Sequence, residues 1–197
     1  NYARRVGRQD MQVALQMYEN AVALDEGFSL AHAGLANVCA QFYYHYERKP
    51  QWIERAIAAT QKASSNGNDA PEIKLAEAWV DFAEGRYENA VDKMRPALAR
   101  DPDLDGGYYL LGRALFEAGR YQEIADLMED ALAHAGENYN TTIPIHNALG
   151  ALGKKDALMN FTHREIAVFE EHLKKVPEDA RVRVLLASDY AMQGRLD

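Results

Sequence analysis

The stretch Gly106-Gly107-Tyr108-Tyr109-Leu110-Leu111-Gly112-Arg113-Ala114-Leu115-Phe116-Glu117-Ala118-Gly119-Arg120-Tyr121, followed by Ala125 and Ala131, decides the fold. Apolar residues recur three and four apart on both sides of Gly119, which is the period of an α-helix with one buried stripe. A glycine between two such stripes reads as a left-handed hinge, because only a residue without a Cβ enters that conformation freely. Gly112 and Ala131 mark places where helix backbones approach closely. The stretch therefore predicts a helical hairpin whose stripes are covered only when further hairpins pack on either side.

Used as a ruler, the stretch finds copies of itself. Phe82, Gly85, Arg86, Tyr87 and Ala97 lie 34 residues before Phe116, Gly119, Arg120, Tyr121 and Ala131, and Gly153 lies 34 residues after Gly119. Ala56 precedes Ala90 by the same 34 residues, whereas Ala14 precedes Ala56 by 42, so eight extra residues fall between Ala36 and Ala56. They hold Phe42, Tyr43, Tyr44, His45 and Tyr46, ahead of Pro50 and Trp52. That many aromatics in one run cannot all face one core, so the run is either a structural plug or a ligand platform. Gly153 precedes Gly194 by 41 residues, seven more than the period, or nearly two helical turns; this predicts one long helix from about Lys155 to Lys175.

The remaining units fit this register. Gln12 to Leu24 reads as a second helix with Ala14, Tyr18 and Ala21 on its stripe, Leu30 to Tyr46 as a first helix, and Trp52 to Lys62 as its partner. Pro71 opens the next helix, Pro102 closes a unit, and Pro144 belongs in a first turn, where no backbone donor is lost. Leu186, Ala187, Tyr190, Gly194 and Leu196 restate the first-helix pattern. The expectation is one domain over 1–197, beginning and ending inside repeats, as a piece of a longer protein.

This spacing of Leu111, Gly112, Gly119, Tyr121 and Ala131 resembles the tetratricopeptide repeat. The resemblance implies an all-α fold, a right-handed superhelix of antiparallel helix pairs, with about four full repeats and a half repeat at each end. More narrowly, the run Phe28 to Ala36, the run His172 to Arg181 and the run Tyr190 to Arg195 look like the repeat regions attached to bacterial serine/threonine protein kinases and adenylate-cyclase-like regulators. No glycine-rich nucleotide loop or kinase signature accompanies them, so the implied role is docking or regulation.

Composition agrees with a binding role. A chain that is 48% hydrophobic, with 22 Lys and Arg against 30 Asp and Glu, can bury a large core and carries a formal charge of -8, which repels nucleic acid. Arg4, Arg5 and Arg8 form the basic cluster and read as a solvated end. No apolar run suggests insertion into a membrane, and the default compartment is the cytoplasm. Cys39 reads as a small core residue. The six histidines show no metal-ligand spacing, Glu165, Glu170 and Glu171 read as solvated ion-pairing groups, and no nucleophile has a base beside it, so no catalysis, metal or cofactor is expected.

In a stack of hairpins the first helices line a concave face. The register places Asn37, Trp79, Phe82, Tyr109, Arg113, Phe116, Asn147 and Ser188 there, with Ala33 and Leu75 among their neighbours. Amides can bond a peptide backbone, Arg113 can pair a carboxylate, and Trp79 with Tyr109 can cover apolar side chains, unless the rings simply pack between adjacent helices. The expected function is non-catalytic binding of a peptide or partner helix in this groove. The alternative is a scaffold that self-associates, as a homo-oligomer, through the repeat ends or the aromatic insertion at 42–52.

Overall fold

In the computed structural model, which describes residues 7–65, 67–134 and 138–195, Gly119 adopts φ +74° and reverses the chain between two helices. The turn is closed by two bonds: the Arg120 N–H donates to the Leu115 carbonyl at 2.8 Å and the Gly119 N–H to the Phe116 carbonyl at 3.0 Å. This is the Schellman arrangement, which satisfies carbonyls that a helix end leaves orphaned. The same pair of bonds recurs at Gly85, Gly153 and Gly194, each with positive φ. The glycine ruler thus marks equivalent hinges.

Eleven α-helices are found among the described residues, and no strand. In chain order they are α1 (Arg8–Leu24), α2 (Ser29–His45), α3 (Pro50–Ala63), α4 (Pro71–Ala83), α5 (Tyr87–Arg100), α6 (Gly107–Glu117), α7 (Tyr121–Asp126), α8 (Met128–Ala133), α9 (Thr142–Ala151), α10 (Lys155–Lys175) and α11 (Ala180–Met192). Each of α2, α4, α6 and α9 packs on the helix that follows its hinge and on a helix of the preceding hairpin; α2 also packs on α4, α4 on α6 and α6 on α9. Small residues permit these approaches. A Cβ on Gly112 would come within 2.8 Å of the Pro144 ring, and one on Gly34 within 2.2 Å of the Tyr18 ring. The main core runs from Cys39 and Ala40 through Trp79, Leu110 and Leu115 to Leu149 and Phe161; smaller clusters around Met11 and Phe42 and around Tyr139, Phe169 and Val182 extend it at either end.

The eight-residue insertion is divided between two helices and their connection. Relative to α4 and α5, α2 runs four residues further, α3 starts three residues earlier, and the link between them gains one residue. Both helices thus grow by about one turn. Phe42 stacks on Trp52 at 4.7 Å, while Tyr44 lies 4.9 Å from the Phe82 ring, so these aromatics plug the space between helices. The seven-residue insertion lengthens α10, which spans Lys155 to Lys175 as the spacing predicts.

One element differs from expectation. The second helix of the central hairpin is divided at Leu127, whose ψ of -4° tightens a single turn between α7 and α8. Arg4, Arg5 and Leu196 lie outside the described residues.

Candidate functional site

Trp79, Phe82 and Tyr109 are 2%, 1% and 5% exposed, and the ring of Trp79 meets that of Phe82 edge-on at 5.6 Å and that of Tyr109 at 6.1 Å. These rings are core, because the lengthened end of α2 folds over them. Arg113 lies across the Tyr44 and Phe82 rings at 5.6 and 5.7 Å. Its guanidinium donates to the Tyr44 hydroxyl at 2.8 Å and contacts Glu117 at 3.4 Å. Tyr44 therefore reaches past α4 to tie the first hairpin to α6, and the cation expected to meet a partner's carboxylate is engaged within the protein. His45 joins this cluster 6.2 Å from Trp79; burial pushes its imidazole down to about 4, and the Arg113 and Arg181 charges act in the same direction.

The other expected groove residues separate. Phe116 is half-buried beside Tyr121, with ring centres 4.9 Å apart, and Asn147 and Ser188 are exposed on α9 and α11. Asn37 accepts from Gln41 at 2.5 Å and lines a different feature, a cleft of about 490 Å³. There α2 contributes Leu30, Ala33 and Asn37, and α4 contributes Glu72 and Leu75, which occupy the same positions one unit later than Leu30 and Ala33. Tyr18 from α1 forms a wall, because Gly34 admits its ring. The segment between α5 and α6 closes the far side with Leu104 and with Asp101, Asp103 and Asp105.

The cleft therefore has an apolar floor and an acidic rim. Phe28 and Leu30 are exposed apolar side chains at its mouth. Four carboxylates, Glu72, Asp101, Asp103 and Asp105, face it, and no Lys or Arg is among the described residues that line it. Three of them have internal partners: His134 lies 2.8 Å from Asp103, Asn138 donates to Asp105 at 3.4 Å, and the Asp103 N–H donates to Asp101 at 3.2 Å. Burial, and next the Asp105 charge, raise the pKa of Tyr18 above its ordinary value and keep its hydroxyl protonated. Like charges around a low-dielectric recess concentrate a negative potential, which attracts a cation with an apolar stem or neighbour.

Ala33, Asn37 and Leu75 were legible as members of this surface from the repeat register. The acidic rim was not, since Asp101 to Asp105 reads as a turn and meets α2 only in three dimensions. Cys39 is buried and its thiol is pushed up to about 11, mainly by that burial, as befits a core residue. Glu165 is a correction: it is 2% exposed, whereas Glu171 is the solvated group, 3.0 Å from Lys174. No helix among the described residues is long and apolar enough to cross a membrane. Compared with known proteins, the chain matches no family model, and no curated protein matches it either.

Proposed function

We propose that this chain is a tetratricopeptide-type solenoid, wound as a right-handed superhelix, and that it acts as a non-catalytic protein-interaction module. Its ligand is a peptide or helix that places an apolar side chain between Lys or Arg residues. The cleft formed by α1, α2, α4 and the 101–105 segment carries this reading, because its apolar floor and carboxylate rim match that chemistry. A docking or regulatory region of a bacterial signalling protein is a setting in which the module would work, on the resemblance of Phe28 to Ala36 and Tyr190 to Arg195 to such regions.

Fluorescence polarisation with short labelled peptides tests the proposal. Peptides with Leu or Phe between Lys and Arg should bind the parent chain, whereas peptides with the same apolar residues between Glu residues should not. Charge reversal at the rim, Glu72→Lys with Asp103→Lys, should weaken binding by about 10-fold or more, since each opposed pair contributes on the order of 1 kcal/mol. Equal binding of both peptide classes would overturn it.

A second reading, self-association, is favoured by Val13 and Met17 on α1 and Val184 on α11, apolar side chains exposed on the first and last helices. Light scattering over a concentration series separates the two: a mass that stays that of a monomer removes the second reading.

A further inference from the structure

Comparison of equivalent positions among the hairpins isolates three polar residues where the others are small and apolar. His146 follows Ala36, Ala78 and Gly112 at one position; Glu165 follows Ala63, Ala97 and Ala131 at a second; Asp189 follows Val38, Val80, Ala114 and Ala148 at a third. All ten of those counterparts are buried. One hairpin earlier, Gly112 and Ala131 line the same small apolar gap, so the first two positions face a common point between helices. In the last hairpins those two positions, and the third on α11, carry ionisable residues.

The three side chains converge from three different helices, α9, α10 and α11. His146 Nδ1 lies 2.6 Å from Glu165 Oε2 and 4.0 Å from Asp189 Oδ1, and one ligand atom from each residue falls within 4.8 Å of the others. Glu165 is 2% and Asp189 3% exposed. Asp189 Oδ2 is buried without a hydrogen-bond partner among the described residues, as is Gln193 Nε2 one turn further along. His146 pairs with Glu165, which leaves the second buried carboxylate, Asp189, without a close partner among the described residues, and this is costly because burial penalises charge and an unpaired polar atom loses its water.

We propose that His146, Glu165 and Asp189 form a binding site for a first-row divalent transition-metal ion, with Zn²⁺ the best match. One imidazole and two carboxylates supply a nitrogen and oxygen donor set with two negative charges, which a divalent cation balances. Bonds of about 2.0–2.2 Å to Zn²⁺ place neighbouring donors about 3 to 3.5 Å apart, between the two separations that His146 makes. Magnesium prefers oxygen donors and retains its waters, so a site containing imidazole selects against it. The unpartnered Asp189 oxygen would gain the ion as its partner. The bound ion would pin the long helix α10 between α9 and α11.

The test uses the whole chain stripped with a chelator, then titrated with Zn²⁺, Co²⁺ and Mg²⁺ by calorimetry and followed by thermal unfolding. Zn²⁺ should bind one to one and raise the melting temperature, Co²⁺ should bind with a visible absorption band, and Mg²⁺ should do neither. His146→Ala, Glu165→Ala and Asp189→Ala each install a residue type carried by equivalent hairpins, so these variants should fold, as circular dichroism would verify. Each should weaken Zn²⁺ binding by at least about 10-fold and abolish the rise in melting temperature. Absence of any Zn²⁺-dependent shift would overturn the site. So would a shift that Asp189→Ala leaves unchanged, which would assign the ion to surface histidines such as His163.

Discussion

His45 shows how a single residue couples the core to pH. It sits in an aromatic cluster with Tyr44, Tyr46 and Trp79, its Nε2 is buried with no hydrogen-bond partner among the described residues, and its pKa is pushed down to about 4. In the unfolded chain it takes a proton near pH 6.5, so between about 6.5 and 4 the unfolded state binds more protons than the folded one. Stability from this group is therefore present above about pH 6.5, is lost as pH falls towards 4, and changes no further below that. At about 1.4 kcal/mol per pKa unit the whole loss is about 3.5 kcal/mol, of which about 2 to 3 kcal/mol falls between pH 7.5 and 4.5. Urea denaturation at pH 7.5 and 4.5 should show His45→Phe, which keeps the ring, losing less stability than the parent by about that amount; identical losses would show that His45 is not the titrating group. The same cluster changes the meaning of Arg113. Because its guanidinium is engaged by Tyr44 and Glu117, Arg113→Glu tests folding of the α2–α6 contact and not recognition of a partner.

At the scale of elements, long helices reinforce a chain of short ones. The lengthened α2 locks the first hairpin to α6 through Tyr44, and the lengthened α10 reaches the 139–141 turn and α11. Asp179 caps α11 by accepting from the Arg181 and Val182 N–H groups, each at 3.1 Å, while His172 from the end of α10 lies 3.0 Å from its other oxygen. Ion pairs cross between second helices, as with Glu19 and Arg55 at 2.5 Å or Glu129 and Arg164 at 2.7 Å, but they are exposed and contribute about 0.2–1 kcal/mol each. Apolar contact therefore decides stability within each hairpin. Phe169 is buried on α10 against Tyr139 and Val182, and Phe169→Ala should cost about 3–5 kcal/mol. Since hairpins contact mainly their neighbours, hydrogen exchange should show lost protection in α10 and α11 with α2 to α4 little changed. A uniform loss would mean that the chain unfolds as one cooperative unit.

For the whole molecule, charge sets the character of the surface. On the proposed function, a formal charge of -8 would draw the ligand's Lys and Arg residues towards the carboxylate rim over the cleft. Binding of a Lys- and Arg-containing peptide should weaken by several-fold between 50 and 500 mM salt, estimated from screening over roughly 10 Å at 0.1 M, and polarisation at each salt concentration would measure it. Affinity indifferent to salt would place recognition on the apolar floor alone. The hairpin register, the hinge glycines, the insertions and the long α10 could all be read along the chain, because helix period and backbone conformation are local properties that repeat at a constant offset. Which side of a helix is covered is not local. The register put Trp79, Tyr109 and Arg113 on one face with Asn37, but the lengthened α2 sealed that face over them and left Asn37 in an open cleft. Asp101 to Asp105 met α2, and His146, Glu165 and Asp189 met one another, only when separate helices packed. The sequence by itself determined a stack of hinged helical pairs; the tertiary structure decided which polar groups lost water together, because desolvation and Coulomb energy depend on distance in space and not on separation along the chain.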